Sequence, residues 1–305
     1  MERLFSGIYG IVLTPFTEKG EVDLPALKEQ VSRAAANIHL AGLVVNGSTG
    51  EFSRLSFDEN VSLMRTVKEA NAGRNQLIFG ATAGDSFTAA RYIKEICDLG
   101  ADGILLAPPY YFTLSEDELF AYYEEALKAN TKNIPVIGYN IPQCTNAISV
   151  SLFKRLLENK MVKGFKNSWN NMADITEEII LRNTVRPDVA MFTGLDGCLC
   201  GTLGLGGDGV FSAISYLIPE IMYYIFENYN DGFCEKALAC QGEIIKLVNV
   251  INQFTFPYGY RLLAEATGYP LGVGREAIPA QLKEKSVEAV GQMREMVEKL
   301  QKIVS

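Results

Sequence analysis

The sequence predicts an α/β fold, a (β/α)8 TIM barrel followed by a C-terminal helical extension. Three observations predict it. Eight short β-rich apolar runs recur along the chain, each leads through a polar turn into a helical pattern, and the strand signal stops after Pro219. Strands alternating with helices imply a parallel sheet, and eight is the number that closes a barrel. The barrel is assigned to residues 1–222 and the extension to residues 223–305.

In chain order, the first strand is expected at Gly7–Thr14, ahead of a helix at Leu24–Ile38. The second strand, Gly42–Val45, precedes a helix at Phe57–Ala72, and the third, Leu77–Ala81, precedes one at Thr88–Leu99. A fourth at Gly103–Ala107 leads to Glu116–Ala129; a fifth lies at Val136–Tyr139. The sixth, Val162–Lys166, is followed by Met172–Arg182, and the last two are Val189–Thr193 and Gly209–Ala213. Beyond Pro219 several helices are expected, the last at about Gln281–Ile303.

Composition narrows the function classes. Of 305 residues, 48% are hydrophobic and 21% charged, the profile of an ordinary globular protein. A formal net charge of -8 without a basic block argues against nucleic acid or an anionic membrane as partner. No apolar run approaches the roughly 18 residues of a membrane span, and the first residues lack the pattern of a signal peptide. A cytoplasmic location is expected.

The six cysteines, at 97, 144, 198, 200, 234 and 240, form no C-x-x-C pair and are expected to be buried free thiols. The single histidine, His39, is read as part of a helical stretch. No metal site is therefore expected, and His-dependent nucleophilic catalysis has no support. Lysine, tyrosine and carboxylates remain as candidates for chemistry.

Two glycine-rich stretches need a reading. Gly204-Leu205-Gly206-Gly207-Asp208-Gly209 matches G-x-G-x-x-G, but a strand follows it where the dinucleotide fingerprint needs a helix. A nucleotide site is rejected. The same stretch echoes Leu99–Leu105, where Gly-x-Asp-Gly also feeds a strand. Half-barrel duplication and shared turn chemistry explain that echo equally well.

Strand six carries the candidate nucleophile. In a barrel, reacting groups sit at the C-terminal ends of strands and alternate residues point inward. Phe165 suits the layer between sheet and helices, which turns Lys166 toward the barrel mouth; Lys163 falls at the strand's other end, where a solvated charge is harmless. An ordinary lysine is solvated. Strand-end position and inward parity favour function here. Lowering an amine from its free pKa of about 10.4 to near 7–8 takes ~4 kcal/mol, which desolvation can supply. A neutral amine can then form a Schiff base with a substrate ketone. Tyr139, ending the adjacent strand five, is placed either as a proton relay or as a packed tyrosine with a satisfied hydroxyl. Asn46-Gly47-Ser48-Thr49-Gly50-Glu51 after strand two offers hydroxyls and backbone N–H groups, a nest suited to a carboxylate or simply a turn.

Taken together, G-S-T-G-E, P-P-Y-Y, Y-N-I-P, G-F-K-N-S, G-L-D-G-C and L-G-G-D-G-V-F-S resemble the dihydrodipicolinate synthase/N-acetylneuraminate lyase family in order and spacing, from about Phe5 to the C-terminal helices. The resemblance implies a class I lyase acting on pyruvate or a pyruvate-derived 2-oxo acid. Lys166 is then the Schiff-base lysine and Tyr139 the relay tyrosine. Ser48 and Thr49 hold the pyruvyl carboxylate, and Tyr111 completes the relay through the threonine from across a dimer interface. Ser168, Gly194, Asp196 and Phe211 are implied as further substrate-binding residues. The family pattern also implies no metal or organic cofactor, and a homotetramer built as a dimer of dimers.

Two departures bear on substrate. Synthases of the family place an arginine two positions after the Y-N-x-P proline to bind the aldehyde's carboxylate; here that position is Cys144. N-acetylneuraminate lyases carry an Asp-Glu pair after strand seven; here Asp196 is followed by Gly197. G-E-F-S-R-L-S and P-P-Y-Y-F-T-L-S-E-D-E-L resemble bacterial 2-keto-3-deoxy-sugar-acid aldolases more closely. The sequence reading therefore favours such an aldolase. Synthase, N-acetylneuraminate lyase and Schiff-base dehydratase or deaminase activities are the alternatives, and a non-catalytic 2-oxo-acid-binding barrel is disfavoured by the intact lysine, tyrosine and hydroxyl set.

Overall fold

The structure, a computed structural model, describes residues 3–304. Eight parallel strands close a barrel in sequential order: β1 (Gly7–Ile11), β2 (Leu40–Val45), β3 (Gln76–Gly80), β4 (Gly103–Leu106), β5 (Val136–Asn140), β6 (Gly164–Asn167), β7 (Ala190–Thr193) and β8 (Gly209–Ser212). Each is buried on both faces almost throughout, as a sheet with helices outside and packed side chains inside must be. β1 pairs with β8 to complete the ring.

The helices between strands start on the expected chemistry. Asp23 caps α1 (Leu24–Ala35), Asp85 caps α3 (Ser86–Leu99) and Ser149 caps α5 (Val150–Glu158). α2 (Phe57–Asn71) and α4 (Glu116–Leu127) open on full capping boxes, Ser56 with Glu59 and Ser115 with Glu118. Asn171 accepts from the first amides of α6 (Met172–Val185). Each cap satisfies amides that the helix leaves unpaired, so the strand-to-helix turn is fixed locally.

After β7 comes the short α7 (Leu199–Gly204), and after β8 come α8 (Ala213–Leu217) and α9 (Pro219–Asn230). The extension comprises α10 (Cys234–Ile251), α11 (Tyr258–Ala266) and α12 (Ala280–Val304). The boundary expected between residues 222 and 223 falls inside α9, which is continuous. His39 is not helical: α1 ends at Ala35, and His39 sits in the turn before β2, stacked on Tyr223 at 4.4 Å.

The two Gly-x-Asp-Gly stretches share one job. Asp102 accepts from Leu77 N at 2.8 Å, and Asp208 accepts from Met191 N at 2.7 Å. In both, the aspartate before a strand ties down the start of the strand preceding it, with glycine in the left-handed region (Gly100 φ 66°, Gly206 φ 88°) at the helix exit. Both stretches thus carry the turn chemistry that one of the two readings of the echo requires. The G-x-G-x-x-G match lies between α7 and β8, at the N-terminal side of the strand.

Candidate active site

β5, β6 and β7 run in a register that aligns Tyr139, Lys166 and Phe192 as neighbours. Phe165, one residue before Lys166, points outward and packs on Phe153 of α5 with ring centroids 4.3 Å apart. Lys166 therefore points inward, and it is only 1% exposed. Among the described residues its amine has no hydrogen bond and no salt bridge; it lies over the Tyr139 ring, 3.8 Å from the centroid. A buried cation of this kind is costly unless something binds there. Lys163, at the other end of the strand, is half exposed and paired with Asp188 at 2.9 Å, as a solvated lysine should be.

The amine opens into a cavity of about 440 Å³ that also receives Thr49, Tyr139, Ser168, Gly194 and Asp196. Gly194 is there for space. A Cβ at that position would fall 2.0 Å from Ser168 Oγ and 2.6 Å from Lys166 Cε, so any side chain would push the amine aside. Ser168 Oγ is buried without a hydrogen-bond partner, a hydroxyl aimed at the same space.

Asp196 closes one wall. Its carboxylate accepts from Ser212 Oγ and, at 2.5 Å, from the Tyr260 hydroxyl. Burial holds its pKa above the usual carboxylate range, opposed by those two hydroxyls and by the charge of Lys166. The opposite wall is the turn after β2. Ser48–Gly50 form one 3-10 turn between Asn46 and Glu51, both left-handed (φ 57° and 64°). The buried Glu51 carboxylate anchors it, accepting from Arg261 Nη1 at 2.9 Å and Arg54 Nη1 at 2.5 Å.

A primary amine without a partner thus lies beside a phenol at the barrel mouth, with hydroxyls on two sides. The dihydrodipicolinate synthetase family matches residues 4–295. The chain belongs to that family. It is 34% identical over 248 residues to a DapA-like lyase of Thermococcus onnurineus, covering 81% of this chain and 83% of the relative. It is 30% identical over 279 residues to the 4-hydroxy-tetrahydrodipicolinate synthase of Lactococcus lactis, covering 90% and 91%. YagE of E. coli K12, a dihydrodipicolinic acid synthase family protein solved in complex with pyruvate, superposes with a TM-score of 0.86 at 26% identity over 98% of this chain and 99% of its own. The sialic acid aldolase of Ruminococcus gnavus shares the fold, with a TM-score of 0.89 at 21% identity, over 99% and 100%.

Within this family member, six of the residues expected at the site line one cavity: Thr49, Tyr139, Lys166, Ser168, Gly194 and Asp196. Three do not. Ser48 faces an adjoining cleft of about 210 Å³, which shares Cys144 and Phe256 with the main cavity. Phe211 lies a layer deeper. It is fully buried, pairs with Tyr9 across β1 and β8, and packs 4.6 Å from both Tyr9 and Phe192, so it supports the cavity floor without lining it. Tyr111 is 91% exposed with φ 80° and does not enter the cavity of its own chain.

Sequence reasoning missed the contribution of the extension. Asn252, Thr255, Phe256 and Tyr260, around the α10–α11 turn, form the outer rim. Strand parity says nothing about such residues, and Tyr260 carried no motif. Cys144, expected to be buried, is exposed at the junction of the two cavities. Among the described residues no group of three His, Cys, Asp or Glu side chains is placed to hold a metal ion, and no helix is long and apolar enough to cross a membrane.

Proposed function

We propose that the protein is a class I aldolase that cleaves a 2-keto-3-deoxy sugar acid into pyruvate and a short hydroxyaldehyde, or runs the reverse condensation. The observation that carries this reading is the buried, unpaired amine of Lys166. It condenses with the 2-ketone, releasing water and leaving an imine. Tyr139 gives its proton to the departing carbinolamine hydroxyl, leaving a protonated imine and a phenolate, which then accepts the proton of the 4-hydroxyl as the C3–C4 bond breaks; the bond's electron pair moves into the protonated imine to give a neutral enamine, and the aldehyde departs. Protonation of the enamine at C3 and hydrolysis of the imine free pyruvate and restore the amine. Thr49, with the amides of its turn, takes the substrate carboxylate. The orphaned Ser168 hydroxyl and Asp196 with its Tyr260 and Ser212 partners suit the hydroxyls of a sugar-acid chain.

Tyr111 serves this scheme from a second subunit. A bulky residue at positive φ is strained, and this one is held outward, where a neighbouring chain can receive it. A dimer-of-dimers homotetramer acting in the cytoplasm without a cofactor completes the proposal.

A dihydrodipicolinate-type synthase is the second reading, favoured by the identity to the Lactococcus lactis enzyme. Cys144 weighs against it, because a thiol cannot make the two-pronged contact that an arginine gives a carboxylate. Borohydride trapping with pyruvate tests the amine: a reduced pyruvyl adduct is expected on Lys166 and none on Lys166→Ala. Pyruvate release from 2-keto-3-deoxygluconate, N-acetylneuraminate and related acids, beside condensation with aspartate semialdehyde, then ranks the substrates. Faster turnover of the semialdehyde than of every sugar acid would overturn the aldolase reading.

A further inference from the structure

On the reverse side of the strands that carry Tyr139 and Lys166, the next residues along, Asn140 and Asn167, point outward and face each other across the ladder. Asn140 Nδ2 donates to Asn167 Oδ1 at 3.5 Å, and Asn140 Oδ1 accepts from Ile148 N at 3.0 Å. Asn167 Oδ1 also accepts from Trp169 N at 2.7 Å, turning the chain just past the strand. The ladder ends on a carboxyl: Asn167 Nδ2 donates to Glu178 Oε2 of α6 at 2.7 Å. Glu178 is 1% exposed, and among the described residues it has no cationic partner.

Its surroundings explain what that carboxyl must be. β6 presents Asn167, β7 presents Thr193 and α7 presents Thr202 around a void of about 10 Å³, and none of these side chains ionises. Such a void has room for one water at most, far short of hydrating a carboxylate. Asp174 and Glu177, on its own helix, add negative charge. Arg182, one turn further along α6, turns its Nη1 to Val189 O and Asp208 and its Nη2 to Gly206 O, while on α5 Lys154 pairs with Glu158 and Arg155 with Asp117. Burial first, and those two acids second, push the Glu178 carboxyl up to about 8, against the Asn167 hydrogen bond. That favours the protonated form at pH 7.

We infer that Glu178 is a positioning residue: through Asn167 it fixes the end of β6 and thereby the aim of the Lys166 amine into the cavity. This rests on Lys166 being the imine-forming amine. Ionisation of Glu178 places an unpaired charge in a dry layer, and the strand end must shift or admit water to relieve it. Imine formation therefore fails on the alkaline side.

The test is the pH profile of turnover and of pyruvate trapping, for the wild type and two variants. Wild-type kcat should fall about tenfold between pH 7 and pH 9, following a group of pKa about 8. Glu178→Gln keeps an acceptor oxygen but cannot ionise, so its profile should lose that alkaline limb. Glu178→Ala removes the acceptor and should lower kcat at every pH, with little change in the KM for the 2-oxo acid. Infrared spectra supply a second arm: a protonated-carboxyl band in the wild type at pH 7 that fades as pH rises through about 8 and is absent from Glu178→Gln. An alkaline limb shared by wild type and Glu178→Gln, or no such band, overturns the inference. Loss of trapping at all pH values in the wild type would instead indict the Lys166 reading.

Discussion

Arg261 offers the most direct quantitative test of how the extension holds the site. Its guanidinium is 6% exposed and makes four hydrogen bonds: Nη1 to Thr14 O (3.1 Å) and Glu51 Oε1 (2.9 Å), Nη2 to Leu271 O (2.7 Å) and Gly272 O (3.2 Å). Arg261→Met keeps most of the stem and removes all four. Breaking a buried ion pair by deleting one partner costs ~3–5 kcal/mol, because the other charge stays behind. Arg54 still reaches Glu51, although it also serves Glu276, so the lower end, about 3 kcal/mol, applies. Unfolding entropy of roughly 2.1 cal/mol/K per residue gives ~0.6 kcal/mol/K for this chain, so Tm should fall by about 5 °C. Calorimetry and urea unfolding at pH 7 read the effect. A cycle with Glu51→Gln should show a coupling of about 2 kcal/mol, since the residues share one bond. The KM for the 2-oxo acid should rise, because Glu51 anchors the turn bearing Thr49. A loss under 1 kcal/mol, or single-mutant effects that add, would refute the reasoning.

Three further outcomes are expected. Tyr139→Phe should still trap pyruvate on Lys166 but lose about 10²–10⁴ in kcat, the usual worth of a general acid-base group; near-normal turnover would mean that another group moves the proton. Cys144→Arg should slow sugar-acid cleavage through bulk and an unpaired charge at the junction of the two cavities, and unchanged kinetics across the substrate panel would show that Cys144 has no part in selection. Stability should fall as pH rises from about 4.5 to about 8, because unfolded Glu178 gives up its proton near 4.5 and the folded carboxyl keeps it until about 8. By pH 7 this contribution costs ~3 kcal/mol, and above about 8 it is constant. Urea midpoints of Glu178→Gln should be flatter over that range, and parallel curves would remove Glu178 as the source.

The barrel and the inward lysine were legible in the sequence because two periodicities agree. Apolar runs located all eight strands, and period-two alternation separated Phe165, which meets α5, from Lys166, which meets the cavity. Parity gives the face but not the depth. Phe211 points inward as an inward position should, yet it sits at the level of Tyr9, below the reacting groups, where bulky rings fill the barrel. Strand ends were also blurred. Val12–Thr14 continue the apolar run of β1 but leave the strand, and Thr14 spends its groups on Gly50 and Arg261 instead. Glu178 belonged to no motif: it stands at helical spacing with Ile175, Ile179 and Arg182, but only its bond from Asn167 of β6 shows that the carboxyl itself is enclosed.

The extension looks like an appendage in sequence but acts as part of the site. Tyr260 and Arg261 are consecutive on α11, and successive helix positions diverge by about 100°. One residue reaches the loop after β7, where its hydroxyl holds Asp196; the next reaches the turn after β2, where its guanidinium holds Glu51. These two loops form opposite walls of the cavity around Lys166. A barrel alone can aim the amine, because strand register and the asparagine ladder behind β5 and β6 set that direction. The loop after β7 and the turn after β2 are thus tied to one another through a single helical step in α11. Divergence in substrate choice can therefore arise at α11 and the α10–α11 turn while Lys166 and Tyr139 stay in place.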